Sequence, residues 1–171
     1  MAARVPALAL VCLVFVACGG KVASHTSSTR LSPAAEHAQV VRWSAGLRRW
    51  GGDIRAALDG ISILFSNQAA LDSIQSRKPR THAALLRYER TLTTCSATVK
   101  RLGAPPVILR MARRDALRAC VSLEQGAWIV QKSVREVERG SMPDIITEAA
   151  DPLGAGQDGV RRALLDLAPA Q

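Results

Sequence analysis

Residues 109–137, LRMARRDALRACVSLEQGAWIVQKSVREV, decide the fold. Leu109, Ala112, Ala116, Cys120, Leu123, Ala127, Val130, Val134 and Val137 recur at steps of three and four. That spacing places them on one face of an α-helix, because a turn takes 3.6 residues. A strand would need alternation every second residue, and this stretch shows none. The helix is apolar along one side and charged elsewhere, so it requires partners of the same kind. Gly140 follows its last apolar position and suits the left-handed residue that ends a helix.

The rest of the chain supplies those partners. Upstream, Val40, Trp43, Leu47, Trp50, Ile54, Ala57, Ile61, Leu64 and Leu71 form a stripe of the same spacing, with Gln68 filling one place in phase. Ser32 is a suitable N-cap and Pro33 suits the first helical position. The phase runs through Gly51-Gly52, which favours one long bent helix over two. A pair of glycines costs about 2 kcal/mol in a helix interior, so a break there remains the alternative. A second stripe, Leu85, Tyr88, Leu92, Cys95, Val99 and Leu102, lies between a break at Gln75 to Lys78 and a C-capping Gly103. Pro105-Pro106 then forces a turn. Ser141 and Asp144 read as a capping box for the last helix, which carries Ile146, Ala149, Leu153, Gly156, Val160, Ala163 and Leu167. Pro152 inside it predicts a kink or a short break. Short connections make consecutive helices antiparallel neighbours. The expectation is an all-α, up-down antiparallel bundle of four helices, or five if Gly51-Gly52 breaks the first, over residues 33–171.

Cys95 and Cys120 fall on the buried stripes of two neighbouring helices, which predicts a disulfide. The bridge constrains the geometry. Cys95 lies about 12 Å of helix before Gly103, whereas Cys120 lies about 21 Å beyond Pro106 if helix starts there at once. A bridge therefore requires the third long helix to begin late, near Leu109 or Arg110.

The first twenty residues, MAARVPALALVCLVFVACGG, are of another kind. Arg4 gives a short positive start, and Val5 to Val16 is an apolar run of about a dozen residues, too short to span a bilayer. Phe15-Val16-Ala17-Cys18, followed by Gly19-Gly20, resembles the lipobox of bacterial lipoprotein signals, with Phe15 where Leu is usual. The resemblance covers only these residues. It implies that residues 1–17 are a cleaved signal peptide, that the Cys18 thiol receives diacylglycerol and becomes the mature N-terminus, and that the protein is held on the outer side of the cell membrane by acyl chains. Residues 18–32, rich in Ser and Thr, then read as a flexible tether.

The formal charge is +9 over 171 residues, and the basic side chains are 19 Arg against 4 Lys. With Arg4 removed in the signal, the remainder carries 22 basic and 14 acidic residues. Arg110, Arg114 and Arg118 are spaced by four on one helix face, with Arg113 beside them. Such a row is ordinarily a solvated face; read as a site, it is a contact for lipid headgroups, an anionic polymer of the envelope or an acidic protein. Nucleic acid is disfavoured by the export signal and by the lack of interleaved aromatics. His25, His37 and His82 stand apart from one another, no Cys or His cluster has metal spacing, and no Gly-rich segment has the strand and lysine of a phosphate loop. No cofactor, metal or catalytic constellation is implied. Two functional expectations follow: a membrane-anchored, non-catalytic interaction domain, or a carrier of a small apolar ligand held inside the bundle, where Gly51-Gly52, Gly154 and Gly156 leave room.

Overall fold

The computed structural model describes residues 32–140 and 145–167, and every regular element among them is helical. In chain order these are α1 (Pro33–Ser66), α2 (Gln68–Gln75), α3 (Pro79–Thr93), α4 (Cys95–Arg101), a 3₁₀ turn (Val107–Leu109), α5 (Arg110–Val137) and α6 (Ile145–Leu165).

The helices start and stop largely where the sequence chemistry places them. The Ser32 hydroxyl accepts a hydrogen bond from the Ala35 N–H at 3.3 Å, and Pro33 opens α1. Gly103 and Gly140 have φ of +78° and +81°, the left-handed conformation that a side chain resists. The Ser141–Asp144 capping box lies outside the described residues. The glycine pair does not break α1, which is continuous for 34 residues. Pro152 does not interrupt α6 either, so the expected short break there is absent.

Two breaks arise elsewhere and divide the expected four long helices into six. Asn67 leaves the helix with φ −120° and ψ 121°, and its side chain accepts from the Ala69 N–H at 2.9 Å, so it stops α1 and caps α2. The second break is at Thr94. The hydroxyls of Thr91, Thr93 and Thr94 each donate to the carbonyl four residues back, at 2.7–3.0 Å. Such back-bonding bends helices. The Ser96 N–H donates to the Glu124 carboxylate on α5 at 3.0 Å. A tertiary acceptor has thus captured a backbone donor that an unbroken helix would use internally.

Close approaches at glycine fix the topology. On α5 and α6, Gly126 faces Leu153, Leu123 faces Gly156, and Ala119 faces Gly159, so the two helices run antiparallel. A Cβ at Gly156 would lie 2.6 Å from the Leu123 side chain, and one at Gly159 would lie 2.8 Å from the Ala119 Cβ. On α1, Gly46 and Gly60 face Leu102 and Tyr88 of the α3–α4 arm, and Gly51 faces Leu164 of α6, again antiparallel. The result is the expected up-down bundle, with α1 and α5 diagonal to one another. Its core is a single cluster built from all four arms, from Trp43 to Leu167. Residues 31–171 form one compact unit.

Cys95 and Cys120 are bonded, with Cα atoms 5.3 Å apart and neither residue exposed. α5 begins at Arg110 after a 3₁₀ turn, the late start that the bridge requires.

Candidate functional site

The outward side of α5 is the most distinctive surface. Its exposed positions are Arg110, Met111, Arg114, Arg118, Val121, Gln125, Trp128 and Arg135. Met111, Val121 and Trp128 are 51%, 66% and 61% exposed, and Val107 and Ile108 extend the apolar content at the N-terminal end. From Met111 to Trp128 the stripe runs about 25 Å.

Its electrostatics follow from where the acids sit. The four carboxylates between residues 110 and 138 are half-buried, and each has a partner. Asp115 is 3.7 Å from the Arg118 guanidinium, Glu124 holds the Ser96 N–H, Glu136 is 4.0 Å from the Lys132 Nζ, and Glu138 pairs with Arg77 at 3.0 Å. Lys132 also reaches Glu148 of α6 at 3.6 Å. The exposed positions of the stripe are therefore guanidinium groups, apolar side chains and Gln125, with Asp115 at the edge beside Arg118. Of the arginines singled out in the sequence, Arg110, Arg114 and Arg118 share this face. Arg113 does not: it is half-buried between helices, and its Nε is buried without a protein partner. Asp115 and Arg118, three residues apart on α5, are the one ion pair among the described residues within this stretch of the face.

The three tryptophans separate. Trp43 and Trp50 are 4% and 2% exposed and anchor the core. Trp128 lies out of phase with the buried stripe of α5, and so does Val121; that phase difference is the sequence signal for their exposure.

Several grooves open between helices, and two of them exceed about 300 Å³. One, of about 450 Å³, is lined by Leu58, Ile61, Phe65, Val130, Ala149 and Leu153, with Ser62, Ser66 and Gln157 as its polar groups. Gly154 borders it, but Gly51 and Gly156 leave no space, because Leu164 and Leu123 fill the volume beside them. The other, of about 370 Å³, lies between α1 and the broken α3–α4 arm and brings Asp53, Arg87, Tyr88, Thr98 and Arg101 together. Among the described residues no three metal-ligating side chains converge, and no helix is long and apolar enough to cross a membrane. Phe15, Val16, Ala17 and Cys18, with the tether, lie outside the described residues.

No protein-family model, no curated protein and no solved structure matches the chain.

Proposed function

We propose that this is a lipoprotein of the cell envelope, anchored through Cys18, whose helical domain acts by contact rather than catalysis. The outward face of α5 is the contact surface, and its partners are anionic. The observation that carries the reading is the pairing of two features: a lipobox-like Phe15–Cys18 in the sequence, and a stripe of arginines and exposed apolar residues in which no exposed position is acidic. A solvated helix face ordinarily interleaves both signs of charge and contains few large apolar groups. This one selects one sign and adds Met111, Val121 and Trp128.

The test is a charge-reversal scan of that face, Arg110→Glu, Arg114→Glu and Arg118→Glu, read by crosslinking in intact cells. All three side chains are exposed, so the fold tolerates the changes. Loss of specific crosslinked species supports the reading; an unchanged crosslinking pattern removes it.

A second reading rests on the apolar groove at Leu58, Ile61 and Phe65, whose lining suits a small apolar ligand with a polar end near Ser62 or Gln157. Native mass spectrometry of protein from its own host distinguishes it: a retained small molecule, lost in Ile61→Asp, supports this reading, and an empty protein argues against it.

A further inference from the structure

We infer that the partner of the α5 face is the anionic bilayer itself, and that α5 lies flat on it with Trp128, Val121 and Met111 entering the headgroup layer. This rests on the reading of α5 as the contact surface and names its partner.

The apolar residues decide between the anionic partners. A polyanionic polymer offers charge and hydroxyl groups, to which Val121, Trp128 and Met111 contribute nothing. A bilayer surface offers both chemistries at the depths this face needs. Arginine side chains reach lipid phosphates from a helix lying in the interface, while apolar side chains between them enter the acyl boundary. Tryptophan is favoured at that boundary because its ring is amphipathic. On α5 both kinds share one line, with two arginines between apolar ends: Met111, Arg114, Arg118, Val121, Trp128. Val107 and Ile108, 68% and 54% exposed, add apolar surface at one end, and Trp128 stands near the other. The stripe is therefore anchored along about 25 Å rather than at one tip. Glu136 and Glu138 face Lys132 and Arg77, while Asp115 lies 3.7 Å from Arg118 and offsets part of the charge at that one position, leaving Arg110 and Arg114 without an acid partner among the described residues.

The arrangement provides its own reporter. Of the three tryptophans, Trp43 and Trp50 are buried, so a change in indole emission on binding comes from Trp128. The experiment uses residues 19–171, without lipid, titrated with vesicles of phosphatidylglycerol and phosphatidylethanolamine, of phosphatidylcholine alone, and with a soluble polyanionic glycopolymer. The expected result is binding to the phosphatidylglycerol vesicles with a blue shift of emission, weakened by salt, and little binding to phosphatidylcholine. Removing one guanidinium, as in Arg114→Gln, lowers partitioning about fivefold. Val121→Ser weakens binding without changing its salt dependence, and Trp128→Phe keeps binding but abolishes the shift. Thermal melting of each variant at the wild-type temperature confirms that the fold is intact. The inference is overturned if the domain ignores anionic vesicles, if it binds them with no change at Trp128, or if it binds the glycopolymer equally well. Failure here leaves the lipoprotein reading standing when the native protein still carries acyl chains. Absence of those chains with vesicle binding intact overturns the anchor and spares the face.

Discussion

The same substitution, Gly→Ala, is expected to have opposite effects at two positions of this bundle. At Gly52 on α1, a Cβ would meet nothing within 4 Å. Alanine there recovers the helix propensity that glycine forfeits, about 1 kcal/mol. For a domain of this size that raises the melting temperature by about 3 °C. At Gly159 on α6, the added Cβ would lie 2.8 Å from the Ala119 Cβ and 3.1 Å from its Cα. Neither atom moves without its helix, so α5 and α6 must separate by roughly 1 Å, which also loosens the contacts at Gly156 and Gly126. Overpacking of this kind costs about 1–3 kcal/mol. Set against the propensity gain of about 1 kcal/mol, and taking the upper end because backbone must shift, Gly159→Ala is destabilising by about 1–2 kcal/mol. Urea and thermal unfolding of the two variants measure both. Ala119→Gly supplies the control, since it removes the opposing Cβ: combined with Gly159→Ala it is expected to recover at least 1 kcal/mol relative to additivity. A Gly159→Ala protein as stable as wild type, or strictly additive effects in the double variant, refutes the register assigned to these two helices.

Three other outcomes follow from single sites. Replacing Cys95 and Cys120 together by Ala opens a loop of 25 residues, worth about 3.5 kcal/mol in the chain-entropy model; the melting temperature is expected to fall by about 10 °C or more, measured against wild type without reductant, and a fall under 3 °C contradicts the bridge as a stabiliser. Ser44 is buried and its Oγ has no partner, so Ser44→Ala is expected to stabilise by about 1 kcal/mol through loss of an unpaired hydroxyl and gain of helix propensity, as read by chemical denaturation. Arg77 has φ +51° at the end of α2 while its guanidinium pairs with Glu138; Arg77→Ala keeps the backbone cost and loses the pair, whereas Arg77→Gly relieves the cost, so the Gly variant is expected to be the more stable by about 1 kcal/mol.

Much of this fold is written in local chemistry. The stripe from Leu109 to Val137 marks the buried side of α5, with Val134 alone half-buried and Ala119, Gly126 and Ser133 buried beside it, and Ser32-Pro33, Gly103 and Gly140 punctuate the helices as their capping geometry requires. The demand that Cys95 and Cys120 meet even places the start of α5. What escaped is tertiary or hidden by phase. Thr94 breaks its helix because Glu124, 28 residues on from Ser96, takes the Ser96 N–H; no local pattern announces that acceptor. Ser66-Asn67 contains good capping residues, but Gln68 keeps the stripe in register and masks the stop. The tight seam at Gly126, Gly156 and Gly159 depends on which helix faces which. The candidate face was half legible. The arginine spacing points to it, while its apolar component shows only when Val121 and Trp128 are read as out of phase with the core. Arg113 turns inward because the position after Ala112 sits at the edge of the buried stripe.

The proposed anchor is a single thiol, Cys18, that would fix this bundle to a bilayer. Metabolic labelling with an alkyne fatty acid, followed by intact-mass analysis of the membrane-extracted protein, addresses it directly. A mature chain beginning at Cys18 and carrying diacylglycerol, with label and membrane retention both lost in Cys18→Ser, is the predicted result. An unlabelled protein, or a Cys18→Ser variant that carries the same mass of lipid, contradicts it.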